Sequence, residues 1–460
     1  MDHSTEFDAG LIRRYDRAGP RYTSYPTAPQ FHDDFGEVDL RAQARASNKG
    51  GRALSLYVHI PFCAHVCYYC ACTKVVTRDR ARAERYLGHL AREIETAGAL
   101  FDASRPVVQL HWGGGTPTFL DDDQIGWLMA ETGRHFHLLG DEPHEYSIEI
   151  DPREIRPTTI ARLRTLGFNR ISLGVQDFSP QVQEAVHRVQ PEALTRETVE
   201  EARHQGFSSV SFDLIYGLPF QSAESFSRTL DVAIDMGPDR LSIFNYAHLP
   251  ELFKPQRRID AGTLPSPAEK LDILALTIEK LTAAGYLFIG MDHFARPNDE
   301  LAVAQRAGTL TRNFQGYSTH AGCDLVGLGV SAISMVGDCY SQNAKTLDEY
   351  YAALDGGRLP VARGIAIDAD DRLRREVITR LICHFRLDTD EVARAFGIDF
   401  GDYFFAELAE LDAMAGDGLL IRDGREIMVT PKGRLLIRNI CMVFDKYLRT
   451  ARQQRFSKVI

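Results

Sequence analysis

The sequence lacks the features of a membrane, secreted or nucleic-acid-binding protein. No apolar run approaches the roughly 18 residues that span a bilayer. The first eight residues, MDHSTEFD, contain neither the basic segment nor the apolar core of an export signal. The formal net charge of −10 disfavours nonspecific nucleic-acid binding, which requires a basic surface. We therefore expect a cytoplasmic protein with no membrane span and no nucleic-acid partner.

Cysteine is scarce and unevenly distributed. The chain has 8 cysteines in 460 residues, and four of them are Cys63, Cys67, Cys70 and Cys72. The first three have the spacing C-x3-C-x2-C, and three thiolates fill three corners of a [4Fe–4S] cluster and leave the fourth iron open. A structural zinc site would need four ligands in paired C-x2-C knuckles, and the partner pair is missing. The spacing therefore predicts Cys63, Cys67 and Cys70 as cluster ligands.

The alternative is that these cysteines are buried or form disulfides. Disulfides need an oxidising compartment, which the absence of an export signal argues against. The other four cysteines occur singly, and we expect them to be buried, inert thiols. They are Cys323, Cys339, Cys383 and Cys441.

A repeated pattern of amphipathic segment, glycine and β-rich run predicts an α/β fold. The glycines stand at Gly167, Gly206, Gly237 and Gly285, where a left-handed residue would end a helix. Further strand-like runs cover residues 54–60, 107–112 and 145–150. Strands alternating with helices indicate a parallel sheet, here a full or partial (β/α) TIM-like barrel. Ligands bind at the carboxyl ends of such strands, and the cysteine motif directly follows the first one.

The two ends of the chain differ from this pattern. Residues 19–27 are rich in turn formers and aromatics, which predicts an extended arm. Residues 417–430 predict a hairpin with an Asp-Gly turn, followed by a final helix around 432–448. We expect three parts: an N-terminal arm at 1–50, a barrel domain at 51–360, and a mostly helical, winged-helix-like domain at 361–460 that acts as a lid or cap.

Polar residues follow the predicted strands. The run WGGGTPT at 112–118 lets a backbone approach a ligand closely, although such turns are often loop geometry alone. Glu149, Gln176 and Asp213 could accept hydrogen bonds from ribose hydroxyls, or could serve as caps and loop residues. Arg188 could pair with a carboxylate through two hydrogen bonds, or lie at the surface.

The cysteine motif, with Tyr69 beside its last cluster cysteine, resembles the signature of the radical S-adenosylmethionine (SAM) enzymes. Six further segments resemble one group among them, the oxygen-independent coproporphyrinogen III oxidases. They are GPRYTSYP (19–26), YVHIPFC (57–63), FNYAHLP (244–250), GMDHFARP (290–297), NFQGY (313–317) and GRLLIRNI (433–440). The resemblance extends from about residue 11 to the C-terminus.

This resemblance implies an activity and its cofactors. The family converts coproporphyrinogen III to protoporphyrinogen IX in haem biosynthesis by decarboxylating two propionates to vinyl groups. It is a monomeric cytoplasmic oxidoreductase with a radical SAM type of partial barrel. It uses a [4Fe–4S] cluster, two SAM molecules and an electron donor such as flavodoxin or ferredoxin.

The resemblance also implies roles for individual residues. It implies that Cys63, Cys67 and Cys70 bind the cluster and that Cys72 and Tyr57 have catalytic roles. Residues expected to line the SAM sites are Tyr57, Tyr69, Gly114, Gly115, Thr116, Glu149, Gln176, Arg188, Asp213, Ala247 and Ile333. Tyr69 stands where phenylalanine is common, and the segment 319–323 departs locally from the family. The tetra-anionic substrate requires basic residues, for which Arg21, Arg296 and Arg312 are candidates.

Two other functions use the same motif. A related group of haem chaperones keeps the three cluster cysteines but typically lacks the fourth cysteine and the N-terminal arm. A radical SAM methyltransferase would use the second SAM as a methyl donor. Cys72 and the segment 19–26 both favour the oxidase over the chaperone.

Overall fold

Six parallel strands form the centre of the molecule and pair in chain order. The computed structural model describes residues 4–140 and 142–450. The strands are β1 (Leu54–Ile60), β2 (Pro106–Gly114), β3 (Glu145–Ile150), β4 (Arg170–Gln176), β5 (Ser209–Tyr216) and β6 (Arg240–Asn245). Each strand pairs in parallel with the next, for example with Val58 opposite Trp112. The predicted parallel sheet is confirmed.

Side chains alternate between the two faces of this sheet. In β5, Phe212, Leu214 and Tyr216 are buried against the surrounding helices. Ser211 and Asp213 lie between them in the sequence and face the opposite, inner side, as the period of two requires. The inner side therefore carries the polar residues of the strands.

Helices connect the strands and cover the outer face. Their ends follow local rules: Gly237 adopts φ +63° and ends the helix Ala223–Met236, which begins with a capping box at Ser222. The predicted helix-ending role of glycine is thus confirmed here. The helices of this part are Ala81–Gly98, Asp122–His135, Thr159–Thr165, Pro180–Ala185, Glu192–His204, Ala223–Met236, Pro267–Ala283, Glu300–Ala307 and Leu347–Asp355. Short 3-10 turns cover Pro117–Phe119, Pro152–Glu154, Lys254–Arg258 and Ala261–Thr263.

Further strands extend the sheet at both edges. His293–Ala295 pairs antiparallel with β6 and then with Leu287–Gly290. On the other side, Asp324–Leu328 pairs in parallel with β1 and is followed by Ile333–Val336, Cys339–Asn343 and Val361–Ala366. The outermost strands of this path do not pair with each other within the described residues. The fold is the predicted partial (β/α) barrel.

The C-terminal part combines helices with a small antiparallel sheet. Its helices are Ala369–His384, Thr389–Phe396, Phe400–Tyr403 and Phe405–Gly416, and its strands are Arg386–Asp388, Leu420–Asp423 and Glu426–Val429. The last two strands form the predicted hairpin, turning at Gly424 with φ +55°. The predicted combination of helices and hairpin is confirmed.

The predicted single final helix is wrong. Three short helices replace it, Pro431–Arg434, Ile437–Val443 and Lys446–Thr450. The break before the last one follows from Asp445, whose carboxylate accepts hydrogen bonds from the Tyr447 amide and the Tyr22 hydroxyl, both at 3.0 Å. A buried aspartate that binds backbone and a distant side chain competes with helix continuation.

The N-terminal arm lies between the sheet and the C-terminal part. Residues 19–27 form neither helix nor strand and are flanked by the helices Ala9–Tyr15 and Glu37–Asn48, with a 3-10 turn at Ala28–Gln30. Arg438 donates to the carbonyl of Pro20 at 3.0 Å and to that of Gly19. The boundaries 1–50, 51–360 and 361–460 stay a prediction. Residues 1–3 and 451–460 of the outer two parts lie outside the described residues.

None of the helices in the described part of the chain combines the length and the hydropathy needed to cross a lipid bilayer.

Candidate active site

The cysteine loop is anchored at both ends. It follows β1, and two short parallel strands, Phe62–Cys63 and Val75–Val76, close its base. The Val75 amide donates to the Pro61 carbonyl at 2.7 Å, and the Thr77 amide donates to the Cys63 carbonyl at 2.9 Å. The loop that carries the four cysteines is therefore fixed to the carboxyl end of β1.

The geometry of the thiols suits an iron–sulfur cluster better than a single ion. Cys67 is buried, Cys63 and Cys70 are half-buried, and the Thr116 hydroxyl donates to Cys63 Sγ at 3.5 Å. The sulfurs of Cys63, Cys67 and Cys70 do not all lie within 4.8 Å of one another. A tetrahedral zinc ion about 2.3 Å from each sulfur would require separations of about 3.8 Å. A cluster, whose cysteines bind different irons, accommodates the wider spread.

Cys72 differs from these three. It is the exposed cysteine of the loop, and its thiol forms a hydrogen bond with that of Cys70. It lies within electrostatic range of Tyr57 and Glu149 on the inner side of the sheet. Its position is on the side of the cluster loop that a substrate could reach.

Gly114, the last residue of β2, and Gly115, which follows it, allow this strand to lie directly against the cysteine loop. A Cβ on Gly114, which has φ +116°, would stand 2.6 Å from the His59 ring, and one on Gly115 would stand 2.7 Å from the Pro61 carbonyl oxygen. The Gly115 amide donates to the Ile60 carbonyl at 2.8 Å. Only glycine permits so close an approach at these two positions.

Tyr57 is held by two histidines on the inner face. Its ring stacks on His111 with centroids 5.9 Å apart. His59 Nε2 is 3.0 Å from the Thr73 carbonyl, which can only accept, so Nε2 carries the proton. His59 Nδ1 then accepts the hydrogen bond of the Tyr57 hydroxyl at 3.0 Å. Burial lowers the pKa of His59 and raises that of Tyr57, so both are neutral.

Two carboxylates face the same space with different proton affinities. Glu149 accepts a hydrogen bond from the Gly114 amide at 3.1 Å and lies 3.4 Å from His111 Nε2. Burial opposes its ionisation, but the His111 hydrogen bond and nearby charges leave the pKa of Glu149 lowered. Burial and the charge of Glu149 raise the pKa of Asp213 to about 6. Both residues present acceptors for hydroxyl or ammonium donors.

Arg188 lies behind Cys67. It is 7% exposed, and its Nη1 donates to Asp151 at 3.0 Å and to Cys67 Sγ at 3.6 Å. Its Nη2 donates to the Gly174 carbonyl. Within the described residues its buried Nε has no hydrogen-bond partner. Despite burial, Arg188 and Arg153 lower the pKa of Asp151 to about 2.

A buried glutamine connects two predicted site residues. The amide of Gln256 donates to the Tyr69 carbonyl at 3.1 Å and to the Ala247 carbonyl at 3.3 Å. Gln176 is the last residue of β4 and has φ +69°. The Ile333 backbone lies against Gly327, which is opposite Tyr57 in the strand that neighbours β1. The structure thus brings Glu149, Arg188 and Ala247 close to the cysteine loop, with Asp213 beside Glu149.

Sequence reasoning missed several residues of this site. His59 stands two positions after Tyr57 on β1, so strand periodicity could have placed it on the same face. No local signal marks Asp151, Arg153 or Gln256, because their contacts with Arg188, Cys67 and Tyr69, in that order, join residues distant in the sequence. Of the other cysteines, Cys339, Cys383 and Cys441 are buried as predicted. Cys323 is half-buried, since it follows the exposed residues 321–322.

The three candidate substrate arginines lie in different places. Arg21 forms an ion pair with Asp292 at 3.0 Å, and Arg312 lies over the Tyr317 ring at 4.7 Å. Both lie within electrostatic range of His293. Arg296 packs over Tyr286 and donates to the carbonyl of Pro238, which precedes β6. It therefore lies at the amino end of the strands, away from the cysteine loop.

Comparisons with known proteins agree with this geometry. Residues 57–233 match the radical SAM superfamily, and residues 367–436 match the HemN C-terminal domain. An oxygen-independent coproporphyrinogen III oxidase of Pseudomonas aeruginosa is 56% identical over 460 residues, covering 100% of both chains. The chain belongs to this family. The Escherichia coli oxidase of the same name is 54% identical over 457 residues, covering 99% of each chain.

A solved structure of the family has the same fold throughout. It is the coproporphyrinogen III oxidase of Escherichia coli, described as a radical SAM enzyme, with a TM-score of 0.92 and 52% identity. The match covers 96% of this chain and 100% of the other. The chain is therefore a radical SAM oxidoreductase, whose cofactors are a [4Fe–4S] cluster and SAM.

The residues present fit these cofactors. Cys63, Cys67 and Cys70 would hold three irons of the cluster, on the loop fixed to the carboxyl end of β1. Arg188 Nε, buried and without a partner in the described part of the chain, offers a donor to a carboxylate beside Cys67. Glu149 and Asp213 offer acceptors across the same space.

We expect Arg188→Ala to weaken SAM binding about ten- to hundredfold, since a charged hydrogen bond contributes about 1.5–3 kcal/mol. Arg153 still pairs with Asp151 in this variant, so folding and iron content should be retained. Arg188→Lys should recover only part of the affinity, because an ammonium lacks the planar donor arrangement that holds Asp151 and the Gly174 carbonyl while Nε stays open. Calorimetric titration of the cluster-loaded variants measures this, and an unchanged SAM affinity would remove Arg188 from the site.

Proposed function

We propose that the protein converts coproporphyrinogen III to protoporphyrinogen IX without oxygen, as a step of haem biosynthesis. The observation that carries this is the end-to-end relationship to oxidases of that name, at 56% and 54% identity. Such coverage includes the N-terminal arm, the cysteine loop and the C-terminal part, so the whole substrate-binding framework is shared. Cys72 on the inner side is also what the related chaperones typically lack.

The reaction removes two propionate carboxylates. Each propionate loses a hydrogen atom from its β-carbon to a 5′-deoxyadenosyl radical, then releases carbon dioxide and passes one electron to a one-electron acceptor, which leaves a vinyl group. When bound, the cluster and SAM supply the one-electron cleavage that generates a radical able to abstract this hydrogen. The chain must hold the cofactor, orient the propionate and exclude water.

Named residues perform these tasks. Cys63, Cys67 and Cys70 would hold the cluster, and Arg188, which lies beside Cys67, would bind the SAM carboxylate through its Nε. Glu149, Asp213, Gln176 and the backbone at 114–116 would orient SAM, with Tyr69, Ala247 and Ile333 at its edges. Tyr57 keeps its hydroxyl proton because it is buried and donates to His59. Tyr57 and Cys72 would then contact the reacting side chain.

Several finer features belong to this proposal. The enzyme uses two SAM molecules, receives electrons from a donor such as flavodoxin or ferredoxin, and works as a cytoplasmic monomer. These features are supported by the resemblance of the site segments to the family.

Anaerobic turnover tests the function. The reduced, cluster-loaded protein should convert coproporphyrinogen III to protoporphyrinogen IX, release two carbon dioxides per substrate and form 5′-deoxyadenosine and methionine. Chromatography with mass spectrometry follows all four products. Tight haem binding without SAM cleavage would favour a haem chaperone, and a methylated tetrapyrrole would favour a methyltransferase; either result contradicts the oxidase.

A further inference from the structure

A hairpin covers part of the inner face of the sheet. Its strands are Thr311–Asn313 and Gly316–Ser318. At one end, the Ser318 hydroxyl accepts a hydrogen bond from Gln109 of β2 at 3.2 Å. At the other, the Tyr317 ring packs edge-on against His293 with centroids 5.3 Å apart, and its hydroxyl donates to the Ile382 carbonyl at 3.0 Å. The hairpin is therefore fixed to both the sheet and the C-terminal part.

This hairpin places Arg312 beside His293 on the inner face. His293 pairs with Ser242 of β6, and its ring contacts Phe244 edge-on at 6.2 Å. Ser242 hydrogen-bonds to Asp213, one of the predicted SAM residues. Arg312 thus lies one strand away from the predicted cofactor site.

Arg312 is a half-buried cation without a counter-ion in the described part of the chain. Its Nε and Nη1 are buried and have no hydrogen-bond partner there, and no described carboxylate lies within 4.0 Å of it. The Tyr317 ring offers one face, with the guanidinium carbon 4.7 Å from its centroid. His293 Nδ1 is likewise buried and unpartnered within the described residues. Buried polar groups left this way normally meet a ligand or water.

Three nearby arginines each have a carboxylate partner, although Arg240 Nη2 and Arg170 Nε also lack a hydrogen-bond partner within the described residues. Arg240 pairs with Asp299 at 2.9 Å, and Arg170 lies 3.5 Å from Glu145. Arg21 pairs with Asp292 at 3.0 Å. The absence of a carboxylate is therefore specific to Arg312 among the inner-face arginines compared.

The surroundings are positively charged. Burial, followed by the charges of Arg312, Arg21 and Arg240, lowers the pKa of His293 to about 3, so His293 is neutral. Burial and the charge of Arg21 lower the pKa of Arg438 to about 10, with Arg312 contributing in the same direction. Asp292 is the carboxylate that acts on Arg438 and already pairs with Arg21. An additional anion would relieve this repulsion.

We propose that Arg312, with His293 beside it, binds a carboxylate of the tetrapyrrole substrate. This inference rests on the proposed function, which supplies a ligand with four carboxylates. A guanidinium donates charged hydrogen bonds to carboxylates, and Nε and Nη1 of Arg312 each carry a donor that has no partner within the described residues. Arg312 would hold a propionate while another part of the substrate meets the cofactors.

Binding of coproporphyrin III, the fluorescent oxidised form of the substrate, tests this without turnover. Fluorescence titration of the cluster-loaded protein should give a dissociation constant about ten- to hundredfold higher for Arg312→Gln than for wild type, the loss expected for a charged hydrogen bond. Arg312→Lys should be intermediate, because it keeps the charge but not the fixed, planar arrangement of donors. Arg312→Lys also tests the site if Arg312→Gln fails to fold.

Arg296→Gln is the matched control, since it makes the same charge change at the amino end of the strands. It should bind coproporphyrin III like wild type. Equal binding by wild type and both Arg312 variants overturns the assignment of Arg312 alone. Absence of porphyrin binding to iron-loaded wild type overturns the proposed function as well. Weakened SAM binding with unchanged porphyrin binding assigns Arg312 to the cofactor instead and contradicts the inference.

Discussion

Replacing Cys63, Cys67 or Cys70 with alanine should remove the cluster iron, the charge-transfer absorbance and all turnover. Three thiolates are the fewest that hold a [4Fe–4S] cluster with one open iron. The neighbouring thiol of Cys72 already forms a hydrogen bond with Cys70 and lies toward the inner side of the sheet. It is therefore not placed to replace Cys63 or Cys67 as a ligand of the cluster. Iron analysis and absorbance of anaerobically prepared protein measure the loss.

Cys339→Ala is the matched control for this prediction. Cys339 is fully buried in the strand Cys339–Asn343, away from the cysteine loop. Its variant should keep about four irons per chain. Cys323→Ala should do the same. A triple variant of Cys63, Cys67 and Cys70 that still held about four irons would show that the cluster is bound elsewhere.

Cys72→Ser should separate iron binding from catalysis. The variant should keep the iron and the absorbance, because Cys72 is not needed to fill a three-cysteine site. Its turnover should fall about hundredfold or more, the effect expected when a group that orients the reacting side chain is lost. The reason is its position: the thiol is exposed beside Tyr57 and Glu149, where the substrate would meet the cofactors.

Anaerobic assays of product formation and SAM cleavage measure this effect. Cys323→Ser, a change of the same kind outside the cysteine loop, should leave both rates unchanged. Full activity of Cys72→Ser would make Cys72 a packing residue. Loss of iron from the same variant would instead make it a ligand.

The sheet could be predicted from the sequence because its signals are local. Each strand of β1 to β6 is a short run in which apolar residues are continuous or alternate with polar ones, and Gly237 marks a helix end by its own backbone preference. The final helix could not be predicted. It is interrupted at Asp445, whose partner Tyr22 is 423 residues away in the chain. Local periodicity contains no information about such a contact.

The same distinction applies to the site. The cysteine spacing and the strand-end positions of Glu149 and Asp213 are visible in a linear sequence. The pairing of Arg188 with Asp151, and the position of Gln256 between Tyr69 and Ala247, depend on how the strands are arranged in space. Arg296 and Arg312 cannot be distinguished as substrate residues in the linear sequence. The fold places Arg296 at the amino end of the strands and Arg312 beside His293 on the inner face.

The contacts of the N-terminal arm impose an order on assembly during translation. The cysteine loop and the chain as far as Arg188 leave the ribosome early. Arg438 and Asp445, which hold residues 19–22, are made about 250 residues later. At synthesis rates of about 5–20 residues per second, this interval is on the order of tens of seconds. The arm carries Arg21 to the carboxyl ends of β5 and β6, and it is held there only after Arg438 and Asp445 have been made. The cysteines of a nascent chain are therefore exposed before the arm covers this end of the strands.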